Sequence, residues 1–114
     1  MHVAMKPFPY LIPDLSGDQI AETAEILRLL GEPSRLRILL ACLSEPAPVG
    51  EIAERLGMAR SLVSHHLRML RASRLLRSAR SGKQIIYSAA DDRVRCIVAD
   101  LAGHVVEIED KDEA

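Results

Sequence analysis

Residues 61–71 read SLVSHHLRMLR, and the adjacent His65 and His66 are groups whose chemistry demands an account. Imidazoles bind transition metals, move protons, and donate to phosphates or base edges. Neighbours on a helix diverge by about 100°, so two consecutive rings do not close on one ion. Helical spacing separates them instead. Val63, His66, Leu67 and Leu70 fall at i, i+3, i+4 and i+7 and predict a buried stripe. Ser61, Ser64, His65 and Arg68 share that spacing on a face turned away from it. His66 is therefore expected at the edge of the core, hydrogen-bonded there. His65 is expected outside, among short donors and an arginine. Small serines let a helix backbone approach the major groove, where His65 and Arg68 can reach bases or phosphates. A merely solvated face more often carries Glu, and this one carries none.

The charge distribution points the same way. The 114 residues carry a net charge of −1, which by itself names no partner. Between Arg55 and Ala90, however, every charged residue is basic: Arg55, Arg60, Arg68, Arg71, Arg74, Arg77, Arg80 and Lys83. Acids outnumber bases in both flanking stretches. A basic middle between acidic ends suits one element facing a polyanion. An enzyme is not expected. There is no nucleophile with a base, no Gly-rich phosphate loop, and no acid pair on convergent elements.

Those residues must be positioned by a small helical framework. With no Trp, one Phe and two Tyr, the core must be aliphatic. The length suits one domain. Residues 1–17 are Pro-rich and read as an extended or mobile arm. Asp18 is the expected cap of a first helix, with Ile20, Ala24, Leu27 and Gly31 at helical spacing. Pro33 suits the first turn of a second helix, whose stripe reads Leu36, Leu39, Leu40 and Leu43. A short third helix carries Val49, Ile52, Ala53 and Leu56 and stops at Gly57. A tight turn then leads into a helix from about Arg60, which is helix-turn-helix spacing. Residues 75–89 predict a β-hairpin turning at Arg80–Lys83, a basic wing beside the recognition helix. A last helix over residues 90–107 has a long stripe of Val94, Ile97, Val98, Leu101, Val105 and Ile108. So small a monomer has little core to cover it, so a homodimer is expected, matched to palindromic DNA. Residues 18–108 form the expected domain and 109–114 an acidic tail. No apolar run reaches the length of a membrane span, and two cysteines are too few for a disulfide framework. A cytoplasmic protein is expected.

The strings LGEPSRLRILLACL, VGEIAERLGMARSLVSHHLRMLRASRLL and GKQIIYS resemble the ArsR/SmtB family of winged helix-turn-helix repressors over residues 20–107. The resemblance implies a mainly α fold of about five helices with a two-stranded wing, dimerising through its terminal helices. It implies a repressor on double-stranded operator DNA, with no membrane partner, released by a metal ion or another effector. Arg60, Ser61, Ser64, His65 and Arg68 would be the recognition-helix contacts, with Arg80 and Lys83 on the wing. Ala59 stands where the family often has a capping Ser or Thr, and Arg60 where Gln is common.

The resemblance also implies where an effector would bind. The family's last-helix metal pattern, D-x-H-x10-H-x-x-(E/H), is matched by Asp91, His104 and Glu107, with Arg93 replacing the first histidine. Thirteen residues of helix span about 20 Å, so Asp91 and His104 can share an ion only across two antiparallel chains. Such ligands suit Zn²⁺, Ni²⁺ or Co²⁺. Either Arg93 pairs with the carboxylates in the cation's place, or another ligand such as His2 completes the site. Some relatives instead respond to sulfide or oxidants through cysteines on the second and last helices, where Cys42 and Cys96 lie, both offset from those positions. Buried apolar packing is the commoner fate of such thiols. A winged helix used only for protein contact is the remaining rival.

Overall fold

The computed structural model describes residues 12–113 as five helices and one β-hairpin. His2 and most of the expected arm lie outside the described residues. Helix α1 spans Gly17–Leu30, α2 Pro33–Ser44, α3 Val49–Leu56, α4 Arg60–Ala72 and α5 Asp92–Glu113. Strands β1 (Leu76–Ser81) and β2 (Gln84–Ala89) pair antiparallel, from Leu76 opposite Ala89 to Ser81 opposite Gln84. The fold expected from the sequence is the one observed.

Local chemistry sets most boundaries. Ser16, not Asp18, caps α1. Its hydroxyl accepts from the Gln19 amide at 3.2 Å, while the Ser16 amide donates to the Gln19 side chain at 3.0 Å. This reciprocal box satisfies two orphan donors where Asp18 would satisfy one. Pro33 opens α2, and the Glu32 carboxylate before it accepts from the Arg35 amide at 2.9 Å. Gly57 ends α3 in the left-handed region, at φ 64°, as a Gly stop requires. Ala59 caps α4 without any side-chain bond. The hairpin closes on the two-residue loop Gly82-Lys83, with Gly82 at φ 62°; Gly at the first loop position suits the twist of the strands.

Helix α2 is rotated from its expected face. Its buried residues are Arg35, Ile38, Leu39, Cys42 and Leu43, while Leu36 is half-buried and Leu40 is 40% exposed. Two overlapping apolar stripes share Leu39 and Leu43. Packing against α3, α4 and β2 chooses the one through Ile38 and Cys42. The core joins these to Ile52, Val63, Leu67, Leu70 and Leu76. Each such side chain contributes about 1.5–3 kcal/mol by leaving water. A further tie anchors the wing: Ala47 and Tyr87 exchange backbone bonds of 3.3 and 3.0 Å, fastening β2 to the segment between α2 and α3.

The terminal helices touch the core sparingly. In α5, Val94 and Val98 are buried, but Ile97, Leu101, Val105 and Ile108 stand exposed. In α1, Ile20 and Leu27 are exposed, and Leu29 is its buried residue. Helix α5 continues to Glu113, through residues expected to form a tail. No helix among the described residues is long and apolar enough to cross a membrane.

Candidate nucleic-acid interface

Helix α4 divides its side chains as the 3.6-residue period requires. Val63, His66, Leu67 and Leu70 face inward; Arg60, Ser61, His65 and Arg68 are exposed, and Ser64 is half-buried. Burial of one flank presses α4 onto α2 and α3 and leaves the other flank standing proud of the fold. His66 is 7% exposed, so the two histidines are split as expected.

Beside that flank lies a cleft of about 980 Å³ between the start of α3, α4 and the wing. Arg60, Ser64, Arg68, Arg71 and Lys83 line it, with Gln84, Ile85 and Tyr87 from the second strand. Of the residues expected to meet DNA, Arg60, Ser64, Arg68 and Lys83 thus converge on one concave surface. Ser61 and His65 lie on the adjoining exposed face of α4, and Arg80 is exposed on β1; none of the three lines the cleft. Arg71 lines it without having been singled out for DNA binding. Its spacing held the signal: it follows Arg68 by three residues and Ser64 by seven.

The cleft is basic on balance: Arg55, Arg60, Arg68, Arg71 and Lys83 line it against the carboxylates of Glu51 and Glu54. Arg68 donates to the Ser64 hydroxyl at 2.9 Å, which holds its guanidinium along the helix. Arg55 lines the cleft too, but it already donates to Glu51 at 2.9 Å and to the Glu45 carbonyl at 3.1 Å. Arg60 is the first residue of α4, and its guanidinium lies over Gly50 in the first turn of α3. A β-carbon at Gly50 would stand 3.3 Å from the Arg60 guanidinium carbon. A cation at the amino ends of two helices is poorly placed by their dipoles, and a phosphate arriving there reverses the balance.

The residues proposed for an effector are dispersed. The Asp91 carboxylate caps α5, accepting from the amides of Arg93 at 2.9 Å and Val94 at 3.3 Å. His104 and Glu107 are exposed one turn apart, near the other end of α5. Among the described residues of one chain, no three metal-ligating side chains gather, and Arg93 forms no ion pair with Asp91 or Glu107. Cys42 is fully buried, and burial pushes its thiol up to about 11 against a smaller opposing pull from Arg55. Cys96 is exposed on α5. A thiol that resists ionisation is a poor redox sensor, which weighs against the pair acting together.

The pattern that defines the arsR family of bacterial regulatory proteins matches residues 32–78. Over 93 residues the chain is 37% identical to a transcriptional repressor SmtB homolog of Synechocystis, covering 82% of this chain and 70% of the relative. Among solved structures, it resembles a homodimeric winged helix-turn-helix DNA-binding domain from Mycobacterium bovis, with a TM-score of 0.70, 25% identity, and coverage of 84% and 91% of the two chains. It also resembles the antimony-specific transcriptional repressor AntR, with a TM-score of 0.72, 27% identity, and coverage of 96% and 99%.

Proposed function

The chain belongs to the ArsR family of bacterial regulatory proteins, DNA-binding transcriptional regulators rather than enzymes, and from that premise we propose that it is a homodimeric repressor whose grip on palindromic operator DNA is released by a transition-metal ion. The convergence of Arg60, Ser64, Arg68, Arg71 and Lys83 on one cleft carries the DNA-binding part of this reading. The side chains sort by chemistry. Arg60, Arg71, Arg80 and Lys83 suit the phosphate backbone. Ser61, Ser64, His65 and Arg68, on the proud face of α4, suit base edges in the major groove. The uncovered apolar faces of α1 and α5 support a two-fold dimer, as in the homodimeric relative, with its recognition helices set for two half-sites.

The likeness to an antimony-specific repressor supports a metal or metalloid effector in general. The donor set of this chain favours a narrower class. His104 and Glu107 from one protomer with Asp91 from its partner form an N/O set suited to Zn²⁺, Ni²⁺ or Co²⁺ rather than a thiophilic ion. Asp91 and His104 stand thirteen residues apart, so an ion holding both would be shared between chains. Asp91 keeps its second carboxylate oxygen for that role while the first caps α5. Such an ion, when bound, supplies coordination bonds that tie the two α5 helices together.

One titration tests both parts. The protein is added to a palindromic duplex that it selects from a randomised pool, at several salt concentrations, with and without Zn²⁺ or Ni²⁺. Affinity should fall about a thousandfold or more between about 50 and 200 mM salt, and Arg68→Ala should abolish sequence preference. Salt-independent binding would point instead to a protein-contact module. Metal should release the wild type and leave His104→Ala bound; equal release of both removes the last-helix site.

A further inference from the structure

Arg35 is an anomaly in the core. It is 6% exposed, and no carboxylate among the described residues forms an ion pair with it. Its guanidinium instead holds three neutral acceptors. Nε donates to the Leu29 carbonyl at the end of α1 at 2.8 Å. Nη1 donates to His66 Nδ1 on α4 at 3.3 Å and to the Met69 sulfur at 3.4 Å. A guanidinium has only donors, so His66 Nδ1 must be the acceptor there, which places the ring proton on Nε2. Nε2 in turn faces the Glu32 carboxylate, 3.9 Å away at the start of α2. One buried cation thus joins the end of α1, the first turns of α2 and the middle of α4.

We propose that Arg35 is a positioning residue for DNA binding, fixing the seat of α4 through the neutral imidazole of His66, and that acid breaks this joint and loosens the grip on DNA. The proposal rests on the DNA-binding reading above and adds the control of that same surface. The joint has two available arrangements. With His66 neutral, Nδ1 accepts from Arg35. With His66 protonated, Nδ1 becomes a donor and cannot, two cations stand together in the core, and the ring's attractive partner is Glu32. The groups facing the ring are Arg35 from α2, Glu32 from the α1–α2 junction, and His65 from α4 at 5.6 Å between ring centroids. Burial is the largest influence and holds His66 below its ordinary value; Arg35 pushes the same way, Glu32 opposes, and His65 adds a smaller lowering. The neutral form is therefore the one built into the fold at neutral pH, and the Arg35–His66 bond gives way only in acid, below the ordinary imidazole range.

The sign makes this testable. Acid adds positive charge to a DNA-binding protein, which by itself would strengthen binding. A loss of affinity runs against that trend. The full chain is titrated by fluorescence anisotropy onto the selected duplex, at constant ionic strength, from about pH 8 down to the lowest pH at which the far-UV spectrum is retained and the His66 ring ¹⁵N shifts show protonation. Wild-type affinity should fall by up to about tenfold per pH unit for each proton taken up. His66→Asn keeps an acceptor for Arg35 and cannot titrate, so its profile should stay level or rise. Glu32→Gln can still cap α2 but no longer favours the imidazolium, so its fall should move to lower pH. Parallel profiles for wild type and His66→Asn, or a wild-type affinity that rises with acid, overturn the proposal. Ring ¹⁵N shifts of His66 test the same bond without DNA. At neutral pH the Nε2–H tautomer should dominate, and an Nδ1–H tautomer sinks the proposal whether or not any duplex binds. Failure to select any duplex at pH 8, with the Nε2–H tautomer in place, would count against the DNA reading alone.

Discussion

Arg74 shows what a single backbone angle costs. It follows α4 at φ 61°, the left-handed region, and lets the Leu75 amide reach back to the Leu70 carbonyl at 3.0 Å. That closure is the usual Gly-dependent helix stop, here built with an arginine. A residue with a β-carbon costs about 1–2 kcal/mol in that conformation. Arg74→Gly removes the strain and adds back some unfolded-state entropy. A net gain of about 0.5–1 kcal/mol is expected, raising the melting midpoint by about 2–8 °C in a domain of this size. Thermal denaturation at neutral pH reads it directly; an unchanged or lowered midpoint would show that the arginine side chain compensates for its backbone. The same match of backbone demand to residue type explains why Gly57 and Gly82, at φ 64° and 62°, are well chosen.

At the scale of elements, α4 begins badly for stability and well for binding. Ala59 offers no cap, and Arg60 adds a cation where the helix dipole is positive. Each feature is worth up to about 1 kcal/mol against the fold. In the cleft the same guanidinium stands over Gly50, and on the proposed reading it receives a phosphate there. Arg60→Gln should therefore stabilise the free protein slightly, by about 0.3–1 kcal/mol at low salt, while weakening DNA binding. The slope of log affinity against log salt should shrink by about one for each phosphate that Arg60 no longer neutralises. Denaturant titration and salt-dependent anisotropy on the same variant measure the two effects. If stability and affinity fell together, Arg60 would be a packing residue and not a phosphate ligand.

For the whole molecule, the compact core lies in α2, α3, α4 and the wing, and the outer helices are half-finished. Leu101 is 59% exposed and Ile97 55%. Covering one such side chain is worth about 1.5–3 kcal/mol, which a second copy can supply along both α1 and α5. Leu101→Glu should therefore yield monomers by sedimentation at micromolar concentration, with the far-UV spectrum retained. Operator affinity should fall steeply, because two linked recognition helices bind as one unit and separate ones do not. A Leu101→Glu dimer with full affinity would place the two-fold interface on another surface.

Much of this was legible in the sequence because its causes are local. Pro33, Gly57 and Gly82 act through their own backbone angles, and the 3.6-residue period alone parts His65 from His66. The stretch from Arg55 to Lys83, which holds bases and no acid, points by itself to the side proposed to meet DNA. Other features depend on partners distant in the chain. Two stripes on α2 fit one helical period, and only packing against α3, α4 and β2 selected Ile38 and Cys42 over Leu36 and Leu40. Arg71 reads as one more surface charge until the wing curls back to make it part of a cleft. Arg35 and His66 stand 31 residues apart, and nothing in either neighbourhood announces that they bond. Short-range stereochemistry is written in residue types; the burial of a charge, and what it is obliged to hold, exists only once the helices have met.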